Sequence, residues 1–133
     1  MNPETRAEAA AWLAKARIDL RAARADLNAS PAITSDALFH YQQAVEKALK
    51  GFLAAKEKPL QRTHDLESLG QLVLSIAPSV RDVVSGAYSL SIYASEFRYP
   101  GESPEPDLTT AETGIEIASR AVAAVASLLE RDE

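Results

Sequence analysis

Four polar side chains recur at steps of three and four within residues 39–53, which places them on one ridge of an α-helix. They are His40, Gln43, Lys47 and Lys50. The two ammonium groups can attract phosphate oxygens as point charges, while the amide and a neutral imidazole can donate and accept hydrogen bonds. This set, called the polar ridge below, is therefore a candidate site for the phosphate of a nucleotide or of RNA.

The same ridge can also be an ordinary solvated surface. Glu46 precedes Lys50 by four residues, the spacing that favours an ion pair on a helix. Phe39 lies beside the ridge next to His40, and a large ring there favours contact with a second subunit or a partner protein. A segment of the same chain that covers Phe39 is the alternative. The sequence leaves these alternatives open.

His64 follows Arg62 and Thr63 at the predicted start of another helix. The positive end of a helix dipole disfavours a charged imidazole, which suits a neutral hydrogen-bonding role. This interpretation makes His64 a candidate contact for a nucleotide or a phosphate. In the alternative, Thr63 and His64 only organise the start of the helix.

The segment Arg98–Tyr99–Pro100 is the third candidate for chemistry. A guanidinium group can bind phosphate with two parallel hydrogen bonds, and a neighbouring tyrosine ring can stack on a base. Arg98 can equally bind the last carbonyl groups of a helix that Pro100 prevents from continuing. Both interpretations place this segment at one end of a helical bundle.

These residues need helices to position them. No segment alternates with period two, so the chain is predicted to be all-α: an antiparallel up-and-down bundle of four long helices and one short helix. The predicted helices cover about residues 3–28, 34–56, 64–77, 79–97 and 109–130. The segment 98–107 is rich in proline and is predicted to be an irregular connection.

Capping residues support the predicted helix starts. Asn2 can cap the first helix, and either Thr34 or Ser35 can cap the second. The segments Ser79–Asp82 and Thr109–Glu112 both have the pattern of a capping box. These signals predict where four of the five helices begin.

The first helix carries charged flanks on either side of its apolar face, one basic and one acidic. The basic flank contains Arg6, Arg17, Arg21 and Arg24, and the acidic flank contains Glu8, Asp19 and Asp26. Solvated flanks and a docking surface for a partner are both compatible with this pattern.

Length and composition indicate one globular domain over residues 1–133, with 47% hydrophobic residues. The absence of cysteine excludes disulfides, thiolate metal sites and a cysteine nucleophile, and fits a reducing cytoplasm. A net charge of −5 argues against an extended nucleic-acid surface. Neither a signal peptide nor a membrane span is expected, and no metal or cofactor is expected.

Three blocks in succession resemble the HEPN family, the higher eukaryotes and prokaryotes nucleotide-binding domain, in its small stand-alone prokaryotic form. The blocks are residues 42–50, with sequence QQAVEKALK, residues 63–69, with sequence THDLESL, and residues 98–100, with sequence RYP. The resemblance covers nearly the whole chain and implies a helical bundle that recognises nucleotides or RNA phosphates. The contact residues predicted for such a ligand are Gln43, Lys47, Lys50, His64, Arg98 and Tyr99.

The resemblance also implies partners. HEPN domains commonly pair through helices, so a homodimer is expected, with Phe39 and His40 as candidate dimer or partner contacts. A minimal nucleotidyltransferase, encoded separately, is the expected protein partner in a toxin–antitoxin-like pair.

Catalytically active HEPN proteins are metal-independent endoribonucleases with an arginine, four to six further residues and then a histidine. This chain departs from that pattern: the residues at 33–35, before His40, and at 57–59, before His64, include no arginine. Lys58 is the single cation among them, and an ammonium group does not replace a bidentate guanidinium. A non-catalytic binding module is therefore predicted. An endoribonuclease toxin with a rearranged Arg and His pair, and a purely structural dimerisation domain, are the alternatives.

Overall fold

The computed structural model describes residues 1–94 and 104–131. This part of the chain is helical and contains no strand, so the predicted all-α fold is confirmed. Its α-helices are α1 (Pro3–Asn28), α2 (Thr34–Ala55), α3 (Leu66–Ile76), α4 (Arg81–Gly86) and α5 (Leu108–Arg131). Two 3₁₀ helices, Pro78–Val80 and Tyr88–Ala94, lie on either side of α4.

The predicted cap of α1 is confirmed and that of α2 is wrong. Asn2 accepts a hydrogen bond from the backbone N–H of Thr5 at 2.8 Å. At α2 the N-cap position is held by Ile33, which makes no side-chain hydrogen bond. The hydroxyl of Thr34 donates instead to the carbonyl oxygen of Pro106 at 2.7 Å. This bond ties the start of α2 to the segment before α5.

The long fourth helix predicted over residues 79–97 is wrong within the described residues. The six-residue α4 is followed by the 3₁₀ helix Tyr88–Ala94, and the predicted capping box is absent because Val80 holds the N-cap position without a side-chain bond. The residues that end α4 are valine, serine and glycine, all weak helix formers. The hydroxyl of Ser85 also donates to the carbonyl oxygen of Arg81 at 2.6 Å, a local bond that competes with helix continuation.

The last helix begins one residue earlier than its predicted capping box. Oδ1 of Asp107 accepts a hydrogen bond from the backbone N–H of Thr110 at 2.8 Å. This bond lowers the pKa of the Asp107 carboxyl, because it favours the charged form. Asp107 therefore stabilises the start of α5 in place of Thr109.

The central helix is α2, which packs on α1, α5, α3 and the 3₁₀ helix Tyr88–Ala94. Small residues allow its close neighbours to approach. A Cβ atom at Gly51 would lie 2.9 Å from Cβ of Trp12 on α1, and one at Gly114 on α5 would lie 2.7 Å from Cδ2 of Leu38. Because α1 and α2 approach so closely, polar side chains of the two helices can bond directly across their contact.

None of the helices in the described part of the chain is both long enough and apolar enough to cross a membrane.

Candidate functional site

Asp19 on α1 joins two members of the polar ridge. Its side chain is 10% exposed, Oδ1 lies 2.8 Å from Nδ1 of His40, and Oδ2 accepts a hydrogen bond from Nζ of Lys47 at 2.6 Å. A carboxylate this buried needs such partners to offset its loss of water. The ammonium of Lys47 is therefore already paired within the chain.

Glu46 on α2 organises the other half of the ridge. Its side chain is 5% exposed, Oε2 accepts from Nζ of Lys50 at 3.0 Å, and Oε1 lies 2.8 Å from Nδ1 of His64. The amide of Gln42 donates to Oε1 of Glu46 at 3.1 Å and to the backbone carbonyl of His64 at 3.0 Å. Gln43 in turn donates to Oε1 of Gln42 at 2.7 Å. These groups form one connected cluster between α2 and the start of α3.

The polar ridge is thus partly internal to the protein. The side chains of Lys47 and Lys50 are 26% and 11% exposed, and each ends on a buried carboxylate. The spacing of Glu46 and Lys50 predicted an ion pair as the alternative to anion binding, and this ion pair is present. The ridge therefore offers a ligand less positive charge than its residue types indicate.

His64 is the member of the Glu46 cluster that reaches the surface. Its side chain is 69% exposed, although Nδ1 contacts the buried Glu46. The contact of Nδ1 with Glu46 orients the ring and leaves Nε2 as the nitrogen that can meet a ligand, while Gln42 holds the backbone carbonyl of His64. A carboxylate-oriented imidazole can bind a phosphate or a base and can also transfer protons.

The start of α3 is organised by the residues on either side of His64. The backbone N–H of Asp65 donates to Oγ1 of Thr63 at 3.0 Å, and Oδ1 of Asp65 accepts from the backbone N–H of Glu67 at 3.2 Å. Asp65 is the N-cap, so the imidazole of His64 is not needed to cap the helix. The imidazole of His64 is therefore available for its contact with Glu46.

The two candidate dimer contacts lie side by side. The rings of Phe39 and His40 are 5.6 Å apart between centroids and meet edge to face at 68°. Both residues are half-buried, and Nε2 of His40 lies 3.4 Å from Oδ2 of Asp36. A dimer contact through Phe39 and His40 stays a prediction.

Of the predicted contact residues, Gln43, Lys50 and His64 come together around Glu46, while Lys47 joins the Asp19 cluster. Arg98 and Tyr99 lie outside the described residues. Sequence reasoning missed the structural roles of Asp19 and Gln42. The acidic flank of α1, with a charge opposite to that of the ridge, was the signal that could have revealed Asp19.

Comparison with known proteins places the chain in a family. The sequence model of the HEPN domain matches residues 9–129. The crystal structure of TT1696 from Thermus thermophilus is similar, with a TM-score of 0.73 and 29% sequence identity over 90% of this chain and 97% of that chain. Comparison with curated proteins finds no match. Because the family model covers most of the chain, this protein belongs to the HEPN domain family.

Proposed function

We propose that this HEPN domain is a non-catalytic module that binds the phosphate of a nucleotide or of RNA at a surface centred on His64. The observation that carries the proposal is the contact between a buried Glu46 and an exposed His64. Membership of a nucleotide-binding and ribonuclease type of family supports this class of ligand. The contact residues proposed with it are Gln43, Lys47, Lys50, Arg98 and Tyr99.

The contact of His64 with Glu46 determines which ligand groups can bind to Nε2 of its ring. With the Nδ1 proton donated to Glu46, Nε2 accepts a hydrogen bond when the imidazole is neutral and donates one when it is protonated. Phosphate oxygens are acceptors, so they bind the protonated ring, whereas a hydroxyl or base N–H binds the neutral ring.

The charge distribution favours a small ligand. Lys47 and Lys50 end on Asp19 and Glu46, and the chain carries a net charge of −5. Long RNA needs many unpaired cations along its backbone, and each phosphate contact adds to the salt dependence of binding. A single nucleotide or an RNA end, bound with weak salt dependence, is the ligand that this surface fits.

The proposal extends to assembly. A homodimer that uses Phe39 and His40, and a minimal nucleotidyltransferase as partner in a prokaryotic toxin–antitoxin-like pair, follow from the family resemblance. A cytoplasmic location is part of the same proposal. Light scattering of the wild type and of Phe39→Asp tests the dimer, since a charge at a half-buried ring should shift a dimer toward monomer.

Thermal unfolding with nucleoside mono-, di- and triphosphates, with and without magnesium, tests the binding function. A ligand at 100 times its Kd should add about 2.7 kcal/mol to the stability, which raises the Tm by about 5 to 10 °C for a domain of this size. His64→Ala should remove this shift, and the control Gln71→Ala, at an exposed position of α3, should keep it. Absence of a shift in the wild type with every nucleotide and with a short RNA would contradict the proposal.

A metal-independent endoribonuclease is the second candidate. The Glu46–His64 contact favours it, because a carboxylate that holds one imidazole nitrogen leaves the other to act as general acid or base. Cleavage of a labelled RNA in EDTA that is lost in His64→Ala and retained in Gln71→Ala would favour the enzyme. Binding of the same RNA without cleavage would favour the binding module.

A further inference from the structure

A second group of polar side chains lies where α1 ends and α2 begins. Asp26, Asp36 and His40 each bring one potential metal-ligand atom into a group whose atoms lie within 4.8 Å of one another. The connection between the helices is tightly folded here. The carbonyl oxygen of Asp26 accepts hydrogen bonds from the N–H groups of Ala29 and Ile33, at 3.3 and 2.9 Å. This turn brings Asp26 against the first turns of α2.

The imidazole of His40 is oriented like that of a metal ligand. Its Nδ1 lies 2.8 Å from Oδ1 of Asp19, and Asp19 also holds the ammonium of Lys47. A carboxylate accepts the Nδ1 proton, so Nε2 is the ring nitrogen that can bind a metal ion, and it lies 3.4 Å from Oδ2 of Asp36. In metal-bound histidines, the ring nitrogen that does not bind the metal commonly donates to such a carboxylate, which fixes the tautomer and the orientation of the ring.

Two buried polar atoms near this cluster have no hydrogen-bond partner within the described residues. Oδ2 of Asp26 and the hydroxyl of Tyr41 are both buried without a hydrogen-bond partner, and the side chain of Tyr41 is completely buried. Asp26 is one of the three residues of the cluster, and Tyr41 follows His40 directly in the sequence.

The three groups are ligands that a divalent cation can use. Lys47 offsets Asp19, whereas the carboxylates of Asp26 and Asp36 meet at the imidazole of His40. Two carboxylates and one imidazole are a ligand set for transition ions such as Zn²⁺ and Mn²⁺, because the imidazole is a poor ligand for Mg²⁺ and Ca²⁺. Three protein ligands leave at least one coordination position for water.

We propose that Asp26, Asp36 and His40 form a binding site for one divalent transition-metal ion, which links the end of α1 to the start of α2. Asp19 is the positioning residue, since it holds Nδ1 of His40. His40 precedes Glu46 by six residues, or about 9 Å along the helix. The ion is therefore bound apart from the surface around His64, and its binding can be measured without nucleotide.

Calorimetric titration of ZnCl₂ and of MnCl₂ into EDTA-treated, dialysed protein, in the absence of nucleotide, tests the site. The expected result is saturable binding of one ion per chain, weakened at least tenfold in Asp36→Asn and in His40→Gln. The matched control is His64→Gln, which changes the other histidine of the chain and should bind the ion like the wild type. Asp19→Asn should weaken binding by about 10- to 100-fold through the orientation of His40.

Two results would overturn the site: no saturable binding of either ion to the wild type, or equal affinity in the wild type, Asp36→Asn and His40→Gln. Asp36 is exposed, so its substitution leaves the packed interior intact and the test does not depend on a variant that fails to fold. Thermal unfolding with and without the ion gives a second readout. The ion should raise the Tm of His64→Gln as much as that of the wild type, and that of Asp36→Asn by clearly less.

Discussion

Glu46 and His64 meet at 2.8 Å between Oε1 and Nδ1, and the first side chain is 5% exposed while the second is 69% exposed. The contact joins the packed interior around α2 to the surface at the start of α3. The two residues therefore differ in what their substitution should do. Loss of the imidazole changes the surface, whereas loss of the carboxylate leaves Lys50 and Gln42 without their shared acceptor.

Glu46→Ala should destabilise the fold strongly. The substitution removes the carboxylate of a buried ion pair. The ammonium of Lys50, whose side chain is 11% exposed, then lacks its counter-ion. The expected cost is about 3 to 5 kcal/mol in the free energy of unfolding. Urea denaturation measures it, with Glu112→Ala at an exposed position of α5 as the control. A cost below about 1 kcal/mol, the value typical of surface pairs, would mean that Glu46 is not buried in solution.

The Asp19–Lys47 pair should show an energetic coupling between α1 and α2. The two side chains are 10% and 26% exposed, which places the pair between surface and buried cases. A double-mutant cycle with Asp19→Ala and Lys47→Ala should give a coupling of about 1 kcal/mol or more. The control cycle combines Asp19→Ala with Lys58→Ala, at an exposed lysine after α2, and should give a coupling near zero. Equal couplings in the two cycles would rule out a specific contact.

Asp26→Asn should make the metal-free protein more stable at neutral pH. Burial, and then the neighbouring Asp36, raise the pKa of Asp26 from 3.8 to about 6, so the folded state holds this proton more tightly than the unfolded state does. Its contribution to stability is greatest below pH 3.8 and is lost as the pH rises through about 6. The Tm of the variant should exceed that of the wild type at pH 7 and approach it near pH 4, in scans with EDTA.

Asp65→Asn is the control with the opposite sign. The hydrogen bond from the hydroxyl of Ser68 lowers the pKa of Asp65, so this carboxylate stabilises the fold at neutral pH and loses that effect as the pH falls through its lowered value. The variant should melt below the wild type at pH 7. If both aspartate variants shifted the Tm in the same direction, the assigned environment of Asp26 would be wrong.

Gly51→Ala should disturb the contact between α1 and α2. The added Cβ would lie 2.9 Å from Cβ of Trp12 and 3.4 Å from the carbonyl oxygen of Ala9, so the helices must separate. The expected cost is about 1 to 3 kcal/mol by chemical denaturation. Gly86→Ala is the matched control, because nothing lies within 4 Å of its Cβ position, and it should be neutral or stabilising by up to about 1 kcal/mol. A neutral Gly51→Ala would contradict the close approach.

Much of the fold could be predicted from the sequence because burial follows a helical period. The bounds of α1 agree with the prediction at both ends, and Asn2 caps it as expected. The fourth segment shows the limit of this reasoning. Val80, Val84 and Leu90 are all buried, yet they lie on a short α-helix and two 3₁₀ helices. Apolar spacing reports which residues face the core and says less about whether the backbone continues as one helix.

The candidate site was harder to predict, since it depends on how helices are rotated against each other. The ion pair of Glu46 and Lys50 lies within one helix and followed from the spacing. The contacts of Asp19 with Lys47 and of Glu46 with His64 join residues 28 and 18 positions apart. A single sequence carries the charges of these residues but not the relative orientation that pairs them.

The chain contains two histidines, and each is held through Nδ1 by a different buried carboxylate: His40 by Asp19 and His64 by Glu46. Their imidazole resonances in an NMR spectrum can therefore act as two separate internal probes. A change at the signal of His64 reports on the surface at the start of α3, and a change at that of His40 reports on the junction of α1 and α2. Selective isotope labelling of histidine alone would thus distinguish events at the two clusters without introducing any foreign group.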